Sequence, residues 1–270
     1  MNLLRYTAVT LVGGAAISLV QRMEAGLEKS VFPANYKSGV LYNVVDREDR
    51  KEVHEQYTSR EAIEAAQAGK PLPSGTVITS ANYKALLDTQ GNPIRDAKGN
   101  LQVGELQRFN VMEKRPGAGA KYADNLRNGD WEFSAFTADR KFDAQTDIKI
   151  CMGCHKPHDE LDYVKTYFAM AGKRVETNPA PVPPGAAVVT VVRFAVNPAR
   201  LTVQAGAPVT WINIDDTPHQ FFVEGAALKT DYLLKGQTGT VVLKEPGVYR
   251  YRDTFYPAVE SLKGVFEVRK

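Results

Sequence analysis

Several features are scarce or missing in this sequence. Only two cysteines occur in 270 residues, so one disulfide at most can form and a disulfide-stapled scaffold is excluded. Beyond the N-terminal segment no apolar run approaches the roughly 20 residues of a bilayer-crossing helix, which excludes a multi-span membrane protein. There is no Lys/Arg-dense stripe, and a formal net charge of +3 does not mark a nucleic-acid surface. No internal repeat is visible. At 43% hydrophobic and 24% charged residues, the composition excludes a fibrous or largely disordered chain. The length suits about two domains.

The N-terminus does carry one apolar stretch. Arg5 precedes a run from Thr7 to Val20 that is apolar or small throughout, and Gln21, Arg22 and Glu24 end it. A basic start with a short apolar core has the form of a secretory signal, so residues 1–29 read as a signal peptide or an N-terminal anchor. Periplasmic or otherwise extracytoplasmic placement, with membrane attachment through this segment as the variant, is the expectation.

The second punctuation mark is Asn178-Pro179-Ala180-Pro181-Val182-Pro183-Pro184-Gly185-Ala186. Proline at that density favours an extended, stiff spacer. It divides a mixed region, 30–177, from an alternating region, 187–270. In the first, Ser59 to Ala68 reads as a helix with Ser59 as N-cap and Gly69 as stop. Thr76–Ser80, Gln107–Met112 and Trp131–Phe136 read as strands, the last half-buried by its alternation. Thr89–Pro93 and Lys98–Asn100 read as a loop excursion, and Asp159 to Ala171 as a second helix. The mixed-sign run from Asp46 to Lys51 reads as a solvated surface. In the second region, seven or so short strands separated by turn signals, with Trp211 in the core, predict a β-sandwich. The expected fold class is mainly β: an α+β domain with an antiparallel sheet, followed by the sandwich.

Chemistry concentrates at Cys151-Met152-Gly153-Cys154-His155. Cys-x-x-Cys-His is the attachment signature of c-type haem. Two thiols meet the two porphyrin vinyl groups, and His155 supplies an axial nitrogen to the iron. A zinc site would need a fourth ligand, and no further cysteine exists. For a sixth iron ligand, the sequence offers Met112, Met170, His54 and His158, each read first as a structural or surface residue; His158 is expected at the haem edge.

Several stretches around this motif resemble the cytochrome P-460 family. They are Tyr57 followed by Gly69-Lys70-Pro71-Leu72-Pro73-Ser74-Gly75-Thr76, then Val111-Met112-Glu113-Lys114, then Arg127-Asn128-Gly129-Asp130-Trp131-Glu132-Phe133. The set ends in the haem motif with Lys156-Pro157 and Asp162-Tyr163-Val164. The resemblance spans about residues 35–172. It implies a mainly antiparallel β fold, often dimeric, and a five-coordinate haem with His155 proximal. The related cytochrome c-prime-beta proteins bind small gases on the open face. Family enzymes oxidise hydroxylamine or nitric oxide species and carry an additional lysine cross-link to the haem. By the resemblance that lysine belongs on the strand after Gly75-Thr76; Lys70 and Lys84 fall outside that position, so the cross-link is not expected here.

The C-terminal region resembles a cupredoxin. Trp211 through Pro218-His219 is similar to the first copper-ligand loop, and Gly247-Val248-Tyr249-Arg250-Tyr251 with Pro257 and Leu262-Lys263-Gly264 is similar to the last. Asp253 stands where the resemblance places cysteine, Tyr256 where it places histidine, and Val259 or Leu262 where it places methionine. Blue copper requires the thiolate, so a type-1 site is excluded. Two readings stay open. In one, the sandwich has lost copper and docks a partner. In the other, His219, Asp253 and Tyr256, assisted by Glu260, form an unusual copper or other divalent site.

The leading functional expectation is a periplasmic haem c protein with an open axial position for nitric oxide or hydroxylamine and one-electron exchange with a redox partner protein. Whether it turns a substrate over as an oxidoreductase stays open. The alternative is a non-catalytic electron-transfer or gas-binding cytochrome whose second domain docks a partner or holds copper.

Overall fold

A computed structural model describes residues 31–173 and 181–270; the N-terminal signal or anchor segment and the first part of the Pro-rich spacer lie outside the described residues. The first half is built on one meander of strands: β1 (Val40–Arg47), β2 (Glu52–Thr58), β3 (Val77–Ala85), β4 (Val103–Lys114) and β5 (Trp131–Thr137), antiparallel and in that order. The charged run read as solvated surface ends the first strand and forms the turn to the second; Asp49, Arg50 and Lys51 are exposed as expected, but for Asp46, Arg47 and Glu48 the structure corrects the expectation. Asp46 and Arg47 end β1, opposite Val53 and Glu52. Arg47 is buried, and its guanidinium is paired with Asp49 at 2.7 Å. Asp46 accepts from the Leu101 amide at 2.7 Å, and Glu48 takes the Arg95 guanidinium at 2.7 and 2.9 Å. Charges can turn inward because each meets a partner.

Trp131–Phe136 is buried at all six positions instead of alternating. The reason is that the sheet is covered on both faces. Trp131 and Phe133 pack with Met152 and Met170, whereas Phe136 packs on the opposite side with Phe109 and Ala81. Helix α1 (Arg60–Gln67) follows the reading: Ser59 Oγ accepts from the Ala62 amide, and Ala62 and Ala66 face inward. The second expected helix is broken. Residues Asp159–Leu161 form one 3-10 turn, and helical structure resumes only at Tyr167–Met170. Asp162 and Tyr163 between them are left-handed, at φ 52° and 60°, which no α-helix can accommodate. A further helix, α2 (Ile148–His155), carries the cysteine motif.

The second half is a two-sheet sandwich of nine strands: β6 (Ala187–Val192), β7 (Ala195–Asn197), β8 (Arg200–Gln204), β9 (Pro208–Asn213), β10 (Phe221–Val223), β11 (Leu228–Lys229), β12 (Thr238–Val242), β13 (Gly247–Asp253) and β14 (Lys263–Arg269). The sheets run β11-β10-β13-β14-β8 and β12-β9-β6-β7, with parallel pairs β14/β8 and β6/β9. Trp211 fills the core, stacked on Phe221 at 5.2 Å and met edge-on by Tyr251 and Phe266. Residues Phe32–Lys270 form one compact unit, and Val45 of β1 belongs to the sandwich core cluster. Among the described residues no helix is long and apolar enough to cross a membrane.

Candidate haem site

Helix α2 exists because Asp147 caps it: its carboxylate accepts the Lys149 amide at 3.0 Å. Met152 anchors the helix in the core of the first half, and Asn128 Nδ2 donates to the Met152 carbonyl at 3.1 Å. Cys151, Cys154 and His155 are thereby presented from one rigid turn. The two thiols are half-buried and unbridged. Burial, chiefly, pushes the Cys151 thiol up from its ordinary value. His155 Nδ1 lies 2.7 Å from the Tyr163 carbonyl. A carbonyl can only accept, so Nδ1 carries the proton and Nε2 keeps its lone pair. Burial holds the ring neutral, with its pKa down to about 3. Phe133 packs edge-on against the ring at 5.2 Å.

The Tyr163 carbonyl reaches His155 only because the chain reverses through two left-handed residues, Asp162 and Tyr163. That reversal is pinned from outside. The Asp162 carboxylate receives the Leu72 amide at 2.9 Å and Lys114 Nζ at 2.7 Å, and Lys114 also donates to the Leu72 carbonyl at 2.9 Å. Residues far apart in the sequence thus converge on orienting one imidazole.

A cavity of about 180 Å³ opens beside this turn. Cys151 and His155 line it together with Met112, Phe133, His54, Arg47, Arg50, Lys165 and Tyr256, and among the described residues no carboxylate does. Of the sixth-ligand candidates, Met112 and His54 therefore border the cavity. Met170 is buried in the core, and His158 is fully buried against Phe255, at 4.3 Å between rings. His54 Nε2 is engaged by Glu52 at 2.8 Å. Glu52 is itself held down to about 2: its burial is overcome by His54 and the bidentate Arg108.

In the sandwich the structure brings His219 and Asp253 together, at 2.5 Å between Nδ1 and Oδ2, both side chains fully buried. Nε2 faces Asp215 Oδ2 and Thr217 Oγ1, each at 3.3 Å. Burial works against charging this ring, but Asp253 and Asp215 outweigh it and raise its pKa to about 9. An imidazolium flanked on both nitrogens offers no lone pair. Tyr256 is not part of this cluster. Its ring lies 5.9 Å from that of His219 and borders the other cavity. Glu260 is exposed and pairs with Lys263 at 2.5 Å. Among the described residues no three His, Cys, Asp or Glu side chains are placed to hold a metal ion. Asp215, which completes the cluster, was not singled out from the sequence; its only signal was its place four residues before His219.

Residues 33–166 match the cytochrome P-460 family. Amicyanin from Paracoccus denitrificans is 37% identical over 83 residues, 29% of this chain; the chain spans 63% of that relative's length. The chain joins a cytochrome P-460 domain to a cupredoxin-like domain. Solved amicyanin structures include one at 29% identity and TM-score 0.30, covering 33% of this chain and 86% of that one. The purple cupredoxin from Nitrosopumilus maritimus covers 31% of this chain and 99% of its own at 24% identity and TM-score 0.28.

The cytochrome P-460 family implies haem, and the residues fit it. The donor set is two free thiols and a neutral imidazole with its second nitrogen already satisfied. Arg47, Arg50 and Lys165 on the cavity wall suit the two propionates of a haem. In the cupredoxin-like domain the loop that carries copper ligands in the resemblance carries an ion cluster instead.

Proposed function

We propose that this is an exported c-type haem protein. Cys151 and Cys154 form the thioethers and His155 is the axial ligand. The observation that carries the reading is His155: a neutral ring lining the cavity beside Cys151, its Nδ1 proton fixed by Tyr163. Haem, when bound, supplies a redox-active iron with a position open to nitric oxide, hydroxylamine or a related small nitrogen-oxide species. The chain's own side chains supply the rest. Phe133, Val111 and Ile78 exclude water from the cavity. Tyr163 holds the imidazole proton at Nδ1, and Arg47, Arg50 and Lys165 supply positive charge. One-electron exchange with a partner protein then makes the protein either a redox enzyme or a carrier.

A second reading rests on Met112. It borders the cavity and sits opposite Phe133 in the β4/β5 register, and Phe133 in turn packs on His155. A Met112–iron bond would make the protein a six-coordinate electron relay.

Maturation in a host that attaches haem, followed by haem staining of a denaturing gel, tests the first reading. Wild type should stain, and the Cys151→Ser, Cys154→Ser double variant should not. Absence of haem from the wild type overturns the proposal. A high-spin ferric spectrum selects the open site; a low-spin spectrum lost on Met112→Ala selects the relay.

A further inference from the structure

We infer that the cupredoxin-like domain completes the haem cavity, with Tyr256 as its hydrogen-bond donor to a small polar ligand and Asp253 as the positioning residue that holds the loop. The inference rests on reading the cavity as a haem site. It adds to that reading a role for a domain that copper chemistry leaves unexplained.

Of the residues bordering the cavity, Tyr256 alone comes from the sandwich half of the chain. Its ring is fixed by neighbours, two of which, Lys165 and Arg47, border the same space. Lys165 Nζ stands 4.4 Å from the ring centre, and the Arg47 guanidinium 5.1 Å. Phe194 meets it edge-on at 4.9 Å. Among the described residues the Tyr256 hydroxyl has no hydrogen-bond partner, whereas Tyr57 meets Glu55, Tyr122 Glu132 and Tyr167 the Lys70 carbonyl; the buried Tyr251 hydroxyl is also unpartnered, but only Tyr256 of these two borders the cavity. A phenol fixed at a cavity wall with its proton unspent can serve a bound ligand.

The loop bearing Tyr256 is held by both halves of the molecule. Asp253 Oδ1 accepts the Phe255 and Tyr256 amides at 2.5 and 2.9 Å, while Oδ2 is tied to His219. The Thr254 amide donates to the Gln220 carbonyl at 2.7 Å. From the haem side, His158 Nε2 approaches the Thr254 carbonyl at 3.3 Å. A position that the copper resemblance assigns to cysteine is thus used to clamp backbone, and the clamp aims its neighbour at the other domain's cavity.

The test is cyanide binding to the full-length ferric protein matured with haem. Tyr256→Phe should keep haem content and the unliganded spectrum while weakening cyanide binding about 3- to 10-fold, the loss of one hydrogen bond. Asp253→Ala removes the acceptor for the two amides and should show the same weakening. Asp253→Asn keeps an oxygen there and should restore binding, which a general loss of stability would not predict. Unchanged cyanide affinity in Tyr256→Phe overturns the inference and leaves the haem reading intact. A wild-type chain without haem overturns both. Should Asp253→Ala fail to fold, the Tyr256→Phe comparison decides the role of the tyrosine and Asp253→Asn that of the clamp, by retaining wild-type affinity or losing it.

Discussion

Raising the pH should unload the buried cluster of His219, Asp253 and Asp215. His219 is fully buried and its pKa rises from 6.5 to about 9, because two carboxylates outweigh the cost of burial. At about 1.4 kcal/mol per unit, that displacement corresponds to about 3 kcal/mol of folding stability. The folded state binds the proton more tightly, so this contribution is complete below pH 6.5 and is lost as the pH rises through 9. The other three histidines act only at lower pH, so the comparison is made above pH 7. His54, His155 and His158 all have lowered pKa values, chiefly from burial, so their linkage falls below pH 6.5 and has the opposite sign. Urea unfolding followed by circular dichroism at pH 7.5, 8.5 and 9.5 measures the effect. Asp253→Asn removes one of the two attracting carboxylates, so its stability should fall less steeply over that range than the wild type's. Parallel curves for wild type and variant would refute the argument that the cluster holds a charged imidazole.

Three further perturbations follow from the first domain. Ser59→Ala removes the side-chain acceptor at the start of α1 and should cost about 1 kcal/mol in urea unfolding, with the haem spectrum unchanged. Lys114→Met leaves the half-buried Asp162 carboxylate without its cation; it should lower stability by about 2–4 kcal/mol and, by loosening the Tyr163 reversal, shift the electronic spectrum of bound haem. Gly119→Ala would place a Cβ 1.8 Å from the Gly129 carbonyl oxygen, so soluble folded protein should be lost, as gel filtration would show; recovery of native protein at wild-type yield would contradict the close backbone approach.

How much was legible differs from site to site. The proposed haem-attachment residues stand out because the vinyl spacing of a porphyrin calls for a local pattern, and local patterns survive in sequence. Helix α1 was readable for the same reason: a cap, apolar formers and a stop lie within ten residues. The first two strands were missed because their charges are cancelled by partners tens of residues away, such as Arg95 for Glu48, and nothing local announces a partner. The continuous helix expected after His155 fails at Asp162 and Tyr163. Their left-handed backbone is bought by the Lys114 and Leu72 contacts, not by any local preference.

The sequence by itself determined the chemistry that depends on adjacency: two thiols and an imidazole on one helical turn, a β-sandwich without the thiolate of blue copper, and the order of the motif pieces in the first domain. The tertiary structure alone decided what those pieces do together. Leu72, Lys114, Asp162 and Tyr163 are spread over some ninety positions, yet they form one chain of hydrogen bonds behind His155. Likewise His219, Asp253 and Tyr256, which composition suggests as one ligand set, part company. The first two neutralise each other in the sandwich interior, and the tyrosine faces the cavity of the other domain. Pairing of buried charge depends on which groups folding brings within a few ångströms, and sequence spacing does not encode that distance.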